Sequence, residues 1–255
     1  MAAGARLSAI ALTDHDTQAG VAAAVEAGQR HGVRVISGLE LSCGWPMGAF
    51  HLLVYFLPIG SGPIAERLNQ IQAGRAHRNR LMVEKLQALG IDIELEEVAT
   101  ESRGGMVGRP HFAAVLVKKG VVGSLGEAFD LYLGDGGPAY QPRFRLGAKE
   151  TIALARASGG VPVLAHPHTL GLESRELREQ LAGLTAAGLA GLECFYGEYL
   201  PEVRTHLAGL ARSLGLVPTG GSDHHGTYKP DSRIGIGRGD LVVADDLLAE
   251  LDALS

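Results

Sequence analysis

Cysteine is scarce: Cys43 and Cys194 are the only two in a chain of 255 residues. Two are too few for a disulfide scaffold, so no disulfide partner is expected and a reducing compartment fits. No apolar run approaches the roughly 18 residues of a spanning helix. The N-terminus has neither a basic stretch nor a long apolar one, so it does not read as a signal peptide. The expected location is the cytoplasm, with no membrane partner. Aromatic residues are only 5% of the chain, which leaves Leu, Val, Ile and Ala to build the core. Positive charge is in deficit: 23 Lys and Arg face 28 Asp and Glu, a net −5. That balance disfavours a broad electrostatic grip on nucleic acid and leaves room for a local basic cleft. What the chain does have is 46% hydrophobic and 20% charged residues, values that exclude wholesale disorder.

Short, branched apolar runs recur, and several end in residues that can bind metal. LSAIAL runs into Thr13-Asp14-His15-Asp16, and VRVIS into Gly38-Leu39-Glu40. His51 opens LLVYFL, and VPVLA runs into His166-Pro167-His168. LAGLE carries Glu193 into Cys194-Phe195-Tyr196, and LGLVPTGG runs into Ser222-Asp223-His224-His225. These read as buried strands. Helical patterns lie between several of them, over 17–31, 148–158, 173–187 and 201–214, several closing on glycine. Strand alternating with helix implies a parallel α/β architecture. Residues 58–147 break the rhythm. A long helix over about 64–89 and shorter ones over 110–119 and 124–133 read as a helical insertion between barrel strands. The expected domains are therefore a barrel of 1–57 with 148–255, and an insertion of 58–147 covering the active site.

In a barrel, side chains at the C-terminal ends of strands converge on one face. His15, Glu40, His166, Asp223 and His225 would meet there despite their separation in sequence. His51 begins its run, so pattern alone does not place it. Each has a plainer reading taken singly: His15 as part of a helix cap, Glu40 as a solvated strand end, His166-Pro167 as a structural turn. The recurrence after strand upon strand favours a metal centre, for which imidazole and carboxylate suit Zn, Mn or Fe. The cysteines read as small core residues. In the insertion, Arg75 and Arg78 are three apart on one helix face, and Arg109-Pro110-His111 precedes a helix. Guanidinium forks match phosphate oxygens; the plainer reading is a solvated basic face.

The ordered set Leu12-Thr13-Asp14-His15-Asp16-Thr17, Gly38-Leu39-Glu40-Leu41-Ser42, His51-Leu52-Leu53, Ala165-His166-Pro167 and Gly221-Ser222-Asp223-His224-His225 resembles the PHP (polymerase and histidinol phosphatase) family, in particular its stand-alone nucleotide phosphatases. The resemblance covers nearly the whole chain. It implies a distorted seven-stranded β/α, TIM-like barrel with up to three divalent ions, usually Mn, Fe or Zn. His15 and His225 would serve one ion, Glu40 would bridge two, His51 and His166 would complete a site with Glu40, and Asp223 would serve the remaining ion. Arg75, Arg78 and Arg109 match positions that hold substrate phosphate. The pattern departs at the N-terminus, where the family's first strand carries a His-x-His pair followed by an Asp. Nothing here corresponds, so the barrel is expected to lack its first strand and to bind fewer ions. Of two accounts, a start internal to a longer protein is favoured over a true truncation.

The implied reaction is hydrolysis of phosphate esters of nucleotides or short oligonucleotides, including short RNA 5′ ends, by a metal-activated water, with no side-chain nucleophile. Two alternatives stand beside it. One is an amidohydrolase-like, metal-dependent hydrolase acting at carbon. The other is an inactive metal-binding remnant, motivated by the missing ligands.

Overall fold

The computed structural model describes residues 1–102, 104–142 and 144–255. The apolar runs form six strands, each close to where its branched residues lie: β1 (Ala9–Leu12), β2 (Arg34–Cys43), β3 (Phe50–Tyr55), β4 (Val161–Leu164), β5 (Gly191–Tyr196) and β6 (Val217–Gly221). Among the described residues they make one six-stranded sheet in sequence order, with β1 and β6 at its edges. A seventh strand is not seen there. The helices are α1 (Val21–His31), α2 (Pro63–Ala88), α3 (Leu95–Glu101), α4 (Arg109–Lys118), α5 (Leu125–Ala128), α6 (Ala148–Ala157), α7 (Ser174–Thr185), α8 (Pro201–Ser213) and α9 (Asp245–Asp252). The residue pattern anticipates most of these; α3 and α9 it does not. None of the described helices is long and apolar enough to cross a membrane.

The expectation of an all-parallel sheet is corrected. β1 pairs with β2, β4 with β5 and β5 with β6 in parallel, but β3 runs antiparallel to both β2 and β4. The cause is the connection. Only residues 44–49 join β2 to β3, too short for the crossover that a parallel partner needs, so the pair closes as a hairpin. This reversal brings the start of β3 to the same rim as the ends of β2 and β4.

The chain forms two compact units, Met1–Glu66 with Arg145–Ser255, and Arg67–Phe144. The first contains the sheet. β4 is buried along its whole length and β2 over its second half, as expected for strands covered on both faces. α1 packs closely on β2 at Gly28, where an added Cβ would lie 2.5 Å from Val35 Cγ2. The helix ends at Gly32, which adopts φ +66° and donates its N–H to the Gly28 carbonyl. That left-handed turn is the one glycine takes without steric cost. The second unit has its own core, in which Met82, Leu86, Ile93, Phe112, Leu116 and Leu133 are fully buried.

Candidate metal centre

The β1–β2 ladder continues past β1. The Glu40 N–H donates to the Asp14 carbonyl (3.1 Å) and the Asp16 N–H to the Glu40 carbonyl (2.9 Å). This fixes His15 beside Glu40, its Nδ1 3.7 Å from Glu40 Oε2. His51 faces Ser42 across the hairpin and places its Nδ1 2.9 Å from Glu40 Oε1. His166 follows β4 and sets its Nε2 3.2 Å from the same oxygen. The rings of His51 and His166 stand 5.1 Å apart, as do those of His15 and His51. Three sequence-predicted histidines thus meet around the carboxylate of a fourth predicted residue, Glu40.

Glu40 is almost wholly buried, and burial by itself opposes its ionisation. The His15 imidazole and the contacts with His166 and His51 outweigh that cost and hold the carboxyl well below the usual carboxylate range. An ionised carboxylate among imidazoles is a cation site in its donor chemistry. Donor atoms of His15, Glu40 and His51 all lie within 4.8 Å of one another, so this set fits a divalent metal ion.

Asp223 and His225, after β6, form a second group. His225 Nδ1 is 3.3 Å from Asp223 Oδ1, and the His225 ring lies 6.3 Å from that of His15. The other Asp223 oxygen, Oδ2, accepts from the Tyr196 hydroxyl (2.9 Å) and the Lys229 ammonium (2.5 Å). Burial works against ionisation of Asp223, but His225 and Lys229 more than offset it and its pKa falls below the ordinary value. Asp16, His166 and Asp223 all have positive φ (57°, 20° and 48°). Such backbone costs about 1–3 kcal/mol per residue and gathers at functional sites.

Three residues to which the sequence pattern assigns no role belong to this site: Glu193, Tyr196 and Lys229. Glu193 lies fully inside, accepting the His166 N–H at 2.8 Å. Burial pushes its pKa up to about 7, against the pull of His166. It stands at the end of an apolar run just as Glu40 does, so the sequence carries a signal for it. Tyr196 has none. Residues three apart on a regular strand point to opposite faces. A β-bulge in β5 between Glu193 and Phe195 breaks the alternation, and both Glu193 and Tyr196 reach site residues. Lys229 is in the loop after the Asp223 motif, tied also to Glu198 at 3.2 Å.

In the helical unit, Arg75 and Arg78 are buried, with 6% and 4% exposure, which excludes the solvated-face reading. A Cβ added at Gly108 would lie 3.4 Å from Arg75 Nη1. The Gly108 N–H donates to His111 Nδ1 at 2.9 Å, and burial lowers the His111 pKa. Arg109 donates to the Leu133 carbonyl and the Asp135 carboxylate, each at 3.2 Å, and lies against the Phe129 and Tyr140 rings.

No protein-family model matches the chain. Curated relatives do. The 5′-3′ exoribonuclease Rnm of Escherichia coli strain K12 is 33% identical over 222 residues, 86% of this chain and 76% of the relative. The 3′,5′-nucleoside bisphosphate phosphatase of Chromobacterium violaceum is 30% identical over 225 residues, 88% of this chain and 79% of the relative. Among solved structures, one from Bifidobacterium adolescentis designated a metal-dependent phosphoesterase superposes with TM-score 0.86 at 30% identity, over 100% of this chain and 88% of its own. A Chromobacterium violaceum structure named as an amidohydrolase, determined with sulfate and no metal, superposes with TM-score 0.83 at 28% identity, over 99% and 88%. With the His–Glu–His cluster at the strand rim, these likenesses show that the chain belongs to the PHP-like, metal-dependent phosphoesterases, hydrolases of phosphoric esters, alongside the Rnm exoribonuclease and the bisphosphate phosphatase.

Proposed function

We propose that this chain hydrolyses the terminal phosphate esters of nucleotides and short oligonucleotides, including short RNA 5′ ends. The observation that carries the reading is the buried, ionised Glu40 between the imidazoles of His15, His51 and His166. The names of the two enzyme relatives, one acting on RNA and one on nucleoside bisphosphates, supply the substrate class. In the assignment we favour, Glu40 would be shared between two ions, His51 and His166 would complete one site, and His15 and His225 would serve the next. Asp223 would serve a third where the full ligand set is present. A divalent ion, when bound, supplies Lewis acidity and a water acidic enough to ionise near neutral pH.

The chain's own residues do the rest. Glu40, held ionised, presents negative charge to the cations. Glu193 fixes the His166 main chain and so the direction of its ring. Lys229 and Tyr196 orient the Asp223 carboxylate. In the same proposal, Arg75, Arg78 and Arg109 of the 58–147 segment take the substrate phosphate, because guanidinium forks pair with phosphoryl oxygens and stabilise their charge as the ester breaks. The test is phosphate release from nucleoside monophosphates and from a 5′-phosphorylated oligoribonucleotide, with Mn²⁺ added or with chelator, beside amide and lactone substrates. Metal-dependent release from the phosphate esters alone supports the reading. Turnover of amides or lactones instead supports hydrolysis at carbon. A folded, metal-loaded chain inert to every substrate supports a remnant.

A further inference from the structure

From the candidate metal centre an aromatic group runs outward to two residues, His168 and Tyr199, that the phosphoesterase chemistry leaves unused. It begins at His166, whose ring centroid is 5.9 Å from that of His168 and 5.6 Å from that of Tyr196. His168 and Tyr199 stand 5.3 Å apart at 83°, and Tyr196 and Tyr199 5.1 Å apart at 63°. All four residues lie at or just past the C-terminal ends of the parallel strands β4 and β5. The group grades outward: Tyr196 is 3% exposed, Tyr199 is half-buried and His168 is exposed. Next to it, Leu200 is 68% exposed.

The outer pair is held in place. The Tyr199 hydroxyl accepts the His168 main-chain N–H at 3.2 Å and lies 2.8 Å from His168 Nδ1. These bonds fix the imidazole plane against the phenol. Two nearly perpendicular rings make a corner: a flat ligand stacked on one ring turns its own edge to the face of the other, the two arrangements aromatic quadrupoles prefer. Because the corner is ordered before a ligand arrives, little entropy is lost on stacking. Every nucleobase has a π face, so such a platform accepts bases with little regard to sequence.

We infer that His168 and Tyr199, backed by Tyr196, form a stacking subsite for the nucleobase of the substrate. The inference rests on the phosphoesterase reading for the position of the phosphate, and it adds that recognition extends past phosphate and sugar to the base. His166 links the two regions, so one nucleotide would present its phosphate to the metal centre and its base to the platform.

The experiment compares adenosine 5′-monophosphate with ribose 5-phosphate, which lacks the base, on the Mn²⁺-loaded chain. Binding of adenosine and of ribose, neither bearing phosphate, is followed alongside by calorimetry. The wild type is expected to favour the nucleotide by about tenfold or more in kcat/KM and to bind adenosine more tightly than ribose, as stacking on an aromatic side chain predicts. In Tyr199→Leu and in His168→Ala, the second a change at the exposed surface, the nucleotide-to-sugar ratio of kcat/KM falls about tenfold, mainly through KM. Tyr199→Phe keeps the ring and retains most of the ratio. A wild type with no preference for the nucleotide overturns the subsite while leaving the phosphoesterase reading intact. So does an unchanged ratio in both ring-removing variants, or an equal loss on both substrates. If the wild type hydrolyses neither compound, the phosphoesterase reading fails, and the adenosine-to-ribose binding ratio decides the platform by itself.

Discussion

Glu40 and Arg109 are both charged, the first buried and the second half-buried, and the two units hold them by different means. Glu40 is surrounded by imidazoles delivered from the ends of β1 and β4 and the start of β3. Its partners are bases that can themselves ligate, so the stabilising shell is also a cation site. Arg109 is held by a main-chain carbonyl, an exposed carboxylate and two aromatic rings, none of which coordinates a metal in concert with it. A buried charge needs compensation, and what supplies the compensation decides which chemistry is left over. In the sheet unit that is donor chemistry for a cation; in the helical unit it is the guanidinium fork that we propose takes an oxyanion.

The largest expected effect comes from removing the charge that organises the first unit. Glu40→Gln should lower metal content by more than one ion per chain and cut phosphate release by more than about 100-fold, since even outer partners of metal ligands are worth 10–100-fold. Elemental analysis decides it; loss of one ion or none would contradict bridging. Next is a change confined to the helical unit. Phe112 has no exposed surface, so Phe112→Ala should cost about 3–5 kcal/mol by denaturant unfolding, with metal per folded chain retained. A loss of metal equal to that of Glu40→Gln would show that the two units are not separable.

A smaller effect concerns Glu193, whose folded pKa stands near 7 against an ordinary 4.5. The folded state binds this proton more tightly than the unfolded chain does. The associated stability is therefore complete below about pH 4.5 and lost as pH rises through about 7, a total of about 3 kcal/mol. Glu193→Gln should flatten that stretch of the stability–pH curve in chelator-treated protein, as followed by thermal unfolding at a series of pH values. An identical slope in the variant would assign the titration elsewhere. Last comes Arg109→Ala. Loss of a charge-assisted hydrogen bond to phosphate is worth about 1.5–3 kcal/mol, so kcat/KM should fall about 10- to 100-fold with metal content unchanged. An unaltered kcat/KM would remove Arg109 from substrate binding and reduce its role to packing within its own unit.

Much of the metal centre is legible in the order of the residues. His15 and His166 announce themselves because each follows an apolar run that forms a strand, and strand ends share a rim; Glu40 closes such a run in the sequence and lies within the second half of β2. His51 is ambiguous for a specific reason: strand periodicity has no direction, so a residue opening a run sits at the rim only if that strand is reversed. The hairpin supplies the reversal. Arg75 and Arg78 are legible as guanidinium groups on one helix face, but their burial is not, because helical spacing says which residues share a face and not what covers it.

The amino-acid sequence by itself determined where the six strands and most of the helices form, through runs of branched apolar residues and glycine stops, and which residues have ligand chemistry. Those are local properties of side-chain shape and donor type. Tertiary structure alone decided strand polarity, the bulge that turns Tyr196 to the same site as Glu193, and the ionisation of Glu40 and Glu193. Each depends on partners far away in sequence: the pairing of β3 with β2 and β4, the register of β5 on β6, and the balance of desolvation against nearby charge. That balance drives one buried carboxyl down in pKa and the other up.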